Sequence, residues 1–270
     1  MDLELKDTVA VVIGAAHGIG HAVASAFAAE GAHVACVDRD KGVDTFATEI
    51  ATAHGTKAAG ITADVTDYER MCEVAGEIES QFGSYDHVIC TAGMGSGKYG
   101  FPFWNLDPAD WNRVLDVNLL GTVNVAHAFA PKCVERQAGS FLFYSSVAGQ
   151  MGSQTDPPYS ASKAGLINFM QVVAKDLGPH GVRANCICPG MVKTDLNRGV
   201  WQAWTESAEG KQHPLTYEEW ADEKIRRVCP LGRWQEADDM AAMTVFLASP
   251  RAQSVTGQTI NVDGGFVMHS

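Results

Sequence analysis

Tyr159 and Lys163, four residues apart, are the side chains whose types and spacing speak most directly of chemistry. On a helix that spacing puts both on one face. A phenol titrates at about pH 10 and is a poor base at neutrality. A neighbouring ammonium favours the phenolate and lowers that value. Such a pair can take a proton from an alcohol or return one to a carbonyl. Ser146, shortly upstream, could hydrogen-bond the same substrate oxygen, and Asn118 could anchor a water between Lys163 and solvent. Alone, a Y-x-x-x-K pair is common on exposed helices, so its weight comes from its surroundings.

The strongest of these is the run Gly14-Ala15-Ala16-His17-Gly18-Ile19-Gly20, between an apolar stretch at 8–13 and an alanine-rich helical pattern at 19–30. Glycines permit a tight turn and close approach of a phosphate, and the helix N-terminus offers unpaired N–H groups to a pyrophosphate. The spacing G-x-x-x-G-x-G differs from the commoner G-x-G-x-x-G and lacks the Gly-Lys-Ser/Thr ending of a triphosphate loop. Asp38 ends the second apolar stretch, where a carboxylate accepts from both adenosine ribose hydroxyls and repels a 2′-phosphate. NAD is therefore expected over NADP, with Arg39 and His17 as the opposing signal, since either could reach a phosphate. Asp64 and Val65 would meet the adenine, and Thr91, Ala92 and Gly93 leave room for close cofactor approach.

All these residues fall at the ends of short apolar runs, 33–37, 58–63, 86–90, 140–145, 183–188 and 259–262, alternating with helical patterns at 42–54, 69–82, 108–136, 159–177 and 237–247. Continuously apolar strands separated by amphipathic helices describe an α/β fold. The expected form is a Rossmann-like doubly wound parallel sheet of seven strands, helices on both faces, in a single domain over 1–270. Only 195–236 breaks the rhythm. It is rich in tryptophan and too long for an ordinary connection, so a substrate loop or small helical lid is expected there.

Twenty basic residues against 32 acidic give a net charge of −12, which argues against nucleic acid or an anionic membrane as partner. No apolar run is long enough to span a bilayer. Residues 1–7 are too acidic for a signal peptide, so a cytoplasmic location is expected. The seven cysteines lie mostly in apolar runs and read as buried free thiols. Cys186 and Cys188 form a lone C-x-C, and His17 and His21 have no suitably spaced carboxylate, so no metal is expected.

With these motifs in place, the whole chain resembles the classical short-chain dehydrogenase/reductase family. The resemblance puts the family's catalytic tetrad on Asn118, Ser146, Tyr159 and Lys163. The segments Tyr144-Ser145-Ser146-Val147-Ala148-Gly149 and Tyr159-Ser160-Ala161-Ser162-Lys163-Ala164 carry it, as does the closing Asn261-Val262-Asp263-Gly264-Gly265. In Pro189-Gly190-Met191-Val192-Lys193-Thr194, Pro189, Gly190, Val192 and Thr194 would contact the nicotinamide and nearby phosphate. Two departures stand out: Ile13 replaces the usual Thr before the first glycine, and Cys90-Thr91-Ala92-Gly93 replaces Asn-Asn-Ala-Gly. The resemblance implies an NAD-dependent oxidoreductase interconverting a secondary alcohol and a ketone, or a sugar hemiacetal and lactone. A sugar, polyol or sugar acid is the expected substrate, with reduction of hydroxysteroid or 3-oxoacyl substrates as the alternative. A non-catalytic NAD-binding regulator is disfavoured because all four tetrad types are present. Ser146, Gln150, Gln154, Tyr159, Asn197 and Trp201 are the expected substrate contacts, roofed by 96–104 and 195–236. A homotetramer, or else a homodimer, is expected on the helices holding Asn118 and Tyr159, with the tail 266–270 reaching a neighbouring subunit.

Overall fold

The computed structural model describes residues 2–268. Seven strands form one wholly parallel sheet: β1 (Val9–Ile13), β2 (His33–Asp38), β3 (Ala58–Thr62), β4 (His87–Cys90), β5 (Gly139–Tyr144), β6 (Val182–Pro189) and β7 (Thr259–Val262). Their order is β3-β2-β1-β4-β5-β6-β7. The chain winds outward from β1 in both directions, so the connections leaving β1 and β4 part to opposite faces. That parting opens a crevice at the carboxyl ends of the strands.

Both faces are covered, as the apolar strands require. Val9–Ile13 is buried at every position, which a one-sided sheet would not allow. Helices α1 (Gly18–Ala29) and α2 (Val43–His54) cover one face, together with α10 (Ala237–Ala248). They bring Val23, Phe27, Phe46, Ile50, Met240 and Val245 against Val12, Val34 and Ile89. Helices α3 (Tyr68–Phe82), α5 (Gly121–Arg136) and α6 (Pro157–Leu177) cover the other, seating Met71, Ile78, Phe129, Leu166 and Met170 on Val11, Val37, Phe141 and Phe143.

One expectation is corrected, and a second is narrowed to one of its two alternatives. The helix read at 108–136 is not continuous: α4 (Ala109–Leu115) passes through a π-helical turn, Asp116–Leu120, before α5. Such turns insert one residue and re-aim a side chain, here that of Asn118. The stretch 195–236 is helical rather than irregular over most of its length. It forms α7 (Asp195–Thr205), α8 (Ala208–Gln212) and α9 (Tyr217–Val228). Thr194, Ser207 and Thr216 cap these three, the last in a reciprocal capping box with Glu219. Met191, Trp204, Tyr217, Trp220, Ala221, Ile225 and Cys229 give this annex its own small core.

All seven cysteines are free, and six are buried; Cys72 is exposed on α3. Among the described residues no helix is long and apolar enough to cross a membrane, and no three His, Cys, Asp or Glu side chains are grouped to hold a metal. Of the tail, His269 and Ser270 lie outside the described residues. Val267 folds back on its own chain, its N–H donating to Asp263 Oδ2 at 2.8 Å.

Candidate active site

The glycine turn leaves no spare volume. Gly14 has φ +89°, and a Cβ there would stand 2.7 Å from Thr91 Oγ1 and 2.8 Å from the Ala92 nitrogen. At Gly20 a Cβ would fall 2.0 Å from the Gly14 carbonyl oxygen. The turn is thus pressed onto the end of β4, and the Thr91 hydroxyl fastens it by donating to the Ile13 carbonyl at 2.8 Å. Above the turn, α1 begins with no side-chain cap and no acidic residue in its first turn. Its leading N–H groups remain available to an anion, as a pyrophosphate requires.

At the end of β2, Asp38 is held from both sides. Its Oδ2 accepts from Ala16 N and its Oδ1 from Asp40 N, each at 3.0 Å. His17 turns away to Asp40, with Nε2 3.0 Å from Oδ2, so its ring is engaged outside the turn. Arg39 lines the cavity and has no ion-pair partner among the described residues. Asp64 accepts from the Thr66 N–H and hydroxyl at 2.9 and 2.8 Å. Burial pushes its carboxyl up, but the Thr66 bonds and Arg113, 3.6 Å away, outweigh that and leave it below its ordinary value.

The second half of the site is set by α6. Asp156 caps that helix and Pro157 opens it, a pairing that stops the chain sharply before Tyr159. The short turn Val147–Gly149 after β5 packs directly on the helix. A Cβ at Gly149 would lie 2.7 Å from the Lys163 carbonyl carbon, so only glycine lets this turn, and Ser146 with it, come so close. Lys163 is buried and its Nζ donates to the Tyr144 carbonyl at 2.6 Å. It lies 5.6 Å from the Tyr159 ring centroid. Burial pushes Tyr159 up to about 12, with the Ser146 hydroxyl pulling the other way. Burial also lowers Lys163. The expected lowering of the tyrosine by Lys163 is thus not the dominant effect in this structure; desolvation outweighs it.

One cavity of about 330 Å³ brings together Ser146, Tyr159 and Lys163. Gly14, His17, Gly18, Ile19, Gly20, Asp38, Arg39, Asp64, Val65, Thr91, Ala92 and Gly93 line it too, as do Pro189, Gly190, Val192, Thr194 and Asn197. Asn118 lies behind this wall. Its Oδ1 accepts from Met94 N at 2.8 Å, and its Nδ2 donates to Met94 O and Ser162 Oγ, both at 2.9 Å. The amide is a strut between the β4 loop and α6, leaving no N–H for a water. Three expected substrate residues lie elsewhere. Gln150 forms a two-way amide pair with Asn261 at 2.7 and 2.9 Å. Gln154 is exposed to solvent. Trp201 donates to the Leu215 carbonyl at 3.2 Å and packs in the annex against Tyr217. Met94, Tyr144, Asp195 and Leu196 line the cavity without having been anticipated, since they flank the recognised motifs without any chemical signature of their own.

The fold and this constellation define a class. The family model described as enoyl-(acyl carrier protein) reductase matches residues 14–267. The chain belongs to the short-chain dehydrogenase/reductase family and is an oxidoreductase acting between alcohol and ketone. It is 35% identical over 266 residues to an acetoacetyl-CoA reductase of Synechocystis sp., covering 98% of each chain. With a D-threitol dehydrogenase of Mycolicibacterium smegmatis it shares 31% identity over 268 residues, covering 99% of this chain and 95% of that one. The crystal structure of L-sorbose reductase from Gluconobacter frateurii, complexed with NADPH and L-sorbose, superposes with a TM-score of 0.89 at 26% identity and full coverage of both chains.

Proposed function

We propose that this chain is an NAD-dependent dehydrogenase of the secondary alcohol of a sugar, polyol or sugar acid, with Tyr159 as its acid and base. The observation that carries the cofactor choice is Asp38, whose carboxylate is fixed at the end of β2 by two backbone N–H groups. A fixed anion there welcomes ribose hydroxyls and repels a 2′-phosphate. The residues present fit a dinucleotide. The turn is packed so closely that no Cβ fits at Gly14 or Gly20, and α1 presents uncapped N–H groups above it. Asp38, Asp64 and Val65 would hold the adenosine half, and Thr91 to Gly93, Lys163 and Pro189 to Thr194 the nicotinamide half. The competing choice, NADP, draws on Arg39 in the cavity and on the NADPH named for the sorbose reductase.

When bound, the nicotinamide accepts or donates the hydride at the carbinol carbon. The chain supplies the rest. Tyr159, neutral at physiological pH because burial lifts it to about 12, is ready to give its proton to a carbonyl oxygen during reduction. In oxidation the same oxygen takes the alcohol proton, which demands the phenolate and favours higher pH. Ser146 holds the substrate oxygen as charge develops. Lys163 keeps N–H groups beyond its bond to Tyr144 for a ribose. Asn118 keeps the Met94 loop at its distance from α6. The annex serves as a lid. Free buried thiols suit a reducing cytoplasm. Exposed Leu120 and Val172, on the segments that carry Asn118 and Tyr159, suit a homotetramer or homodimer built there.

The test is a panel of polyols, aldoses, sugar acids and hydroxysteroids with NAD+ and NADP+, read by absorbance, on wild type and Asp38→Ser. We expect turnover confined to the carbohydrate group. The NAD+ preference should fall on the order of tenfold or more in the variant, the loss of a charge-assisted bond. An unchanged cofactor ratio would refute the Asp38 assignment, and turnover of steroids alone the substrate class.

A further inference from the structure

Beyond the main cavity, a second cleft of about 180 Å³ opens between the β4–α4 loop and the annex. Tyr99 and Thr155 form one side; Val200, Trp204 and Trp220 form the other. Its volume is below the roughly 300–1,000 Å³ that a whole ligand occupies, so it suits one end of a molecule. Its position relative to the main cavity follows from α7. Asn197 lines the main cavity, while Val200 and Trp204 line the cleft. Spacings of three and four put the three on one helix face, and seven residues at about 1.5 Å each span roughly 10 Å. Thr155, four residues before Tyr159, accepts from Gly100 N at 2.8 Å, so the cleft wall is tied to the start of the catalytic helix.

Lys224 lies in this cleft, with its Nζ 4.9 Å from the centroid of the Trp220 ring. One nearby cation is already committed. Lys98 is bound by Asp110 at 2.8 and 2.9 Å, whereas Arg198, like Lys224, rests on an aromatic ring, that of Tyr217 at 4.5 Å. Lys224 has no carboxylate or hydrogen-bond acceptor among the described residues, nor has Arg227, one turn further along α9. Two carboxylates also reach the cleft. Glu209 lines the cleft near Tyr99, whose phenol is pushed up by burial and then by the Glu209 charge, and Glu223 is exposed. Burial and the Arg227 charge both act against the Lys224 ammonium. An arriving anion would relieve both.

We propose that this cleft seats an anionic end of the substrate, a carboxylate or a phosphate, recognised by Lys224 while the carbinol carbon lies at Tyr159. The inference rests on the dehydrogenase reading above and narrows it, from sugars and polyols at large to those that end in an anion. Trp204, Trp220 and Val200 would exclude water around the pair and strengthen it.

The test is calorimetric titration of the NAD+-loaded enzyme with gluconate, glucitol 6-phosphate and glucitol, for wild type, Lys224→Met and Lys224→Arg. Circular dichroism verifies that each variant is folded. Wild type should bind an anion-ended ligand about tenfold or more tightly than glucitol, the scale of one charge-assisted bond. Lys224→Met should erase that difference and Lys224→Arg should keep it. The anion that shows the preference distinguishes carboxylate from phosphate. Equal binding of all three ligands by wild type, no binding of any, or a preference that survives in Lys224→Met overturns the proposal. Because the readout is binding, it separates from the parent reading: an anion preference without turnover of the preferred ligand sinks the dehydrogenase assignment on that class and leaves the cleft standing. Turnover of glucitol without an anion preference does the reverse.

Discussion

The sheet end that faces the cofactor cavity and the annex above it are built by different means. At the sheet end, backbone meets backbone. Gly14 and Gly20 sit where a single added carbon would strike the residues just after β4 or the turn's own backbone, Asp38 is held by main-chain N–H groups, and Ser146 is brought in by a glycine against α6. In the annex, side chains meet side chains. Tyr217 stacks on Trp220 with centroids 6.3 Å apart, and Trp204, Trp201 and Trp234 close around them. Backbone contacts of the first kind tolerate almost no substitution, whereas aromatic packing can be refilled with other shapes. The chemistry common to the family therefore resides in the rigid half. On the proposed reading, the choice of substrate belongs to the half that can be repacked without disturbing the sheet.

The largest effect expected from breaking this division lies on the rigid side. Tyr159→Phe removes one oxygen and should lower turnover by about 10³-fold or more, the scale of a lost acid/base. Cofactor affinity, followed by fluorescence titration, should hold, because the ring stays in place. Ordinary turnover in this variant would dismiss the acid/base role of Tyr159.

A paired substitution tests the division itself. Gly20→Ala drives a carbon to 2.0 Å from the Gly14 carbonyl oxygen, an overpacking worth about 1–3 kcal/mol or more. It should lower the melting temperature and weaken cofactor binding together. Trp220→Ala opens a void that would cost about 3–5 kcal/mol in a central core. Here the loss falls on a small separate cluster, so it should appear mainly as a higher substrate KM with cofactor affinity retained. If Trp220→Ala weakens cofactor binding as severely as Gly20→Ala, the two regions are not separable.

The same division explains what could be read from sequence. Strands, the glycine turn and Asp38 declare themselves locally, since each depends on a short spacing and an apolar run. The start of α6 is read two residues late, at Tyr159, although Asp156-Pro157 marks it locally. The annex helices also carry local signals, with caps at Thr194 and Ser207 and the Thr216–Glu219 box. Of the two forms expected over 195–236, a loop or a small helical lid, those caps favour the helical one. What stays hidden depends on distant partners. Gln150 looks like a substrate contact until Asn261, 111 residues away, takes both ends of its amide. Trp201 looks like a pocket wall until Leu215 and Tyr217 claim it. The π turn that aims Asn118 at Met94 and Ser162 leaves no mark in a periodicity of three and four.

Asp156 joins the two regions, and the smallest effect is expected there. Its Oδ2 accepts from Ser96 N at 2.8 Å, fastening the β4–α4 loop, and its Oδ1 from Tyr159 N at 3.4 Å. The group is buried, and burial raises its own pKa against the pull of those bonds. After burial itself, its negative charge helps to hold Tyr159 high, with the Ser146 hydroxyl opposing and Cys188 adding to the rise. In Asp156→Asn that charge is gone. The phenolate becomes easier to form, so the acid limb of kcat for oxidation should move to lower pH. The rate of reduction, which needs the phenol, should begin to fall at a correspondingly lower pH. An amide also leaves one acceptor for the two N–H donors of Ser96 and Tyr159, so one of these bonds is lost, which should raise substrate KM. A pure helix cap would raise KM or lower the melting temperature and leave both pH limbs in place. Movement of the oxidation limb toward higher pH would contradict the electrostatic role outright.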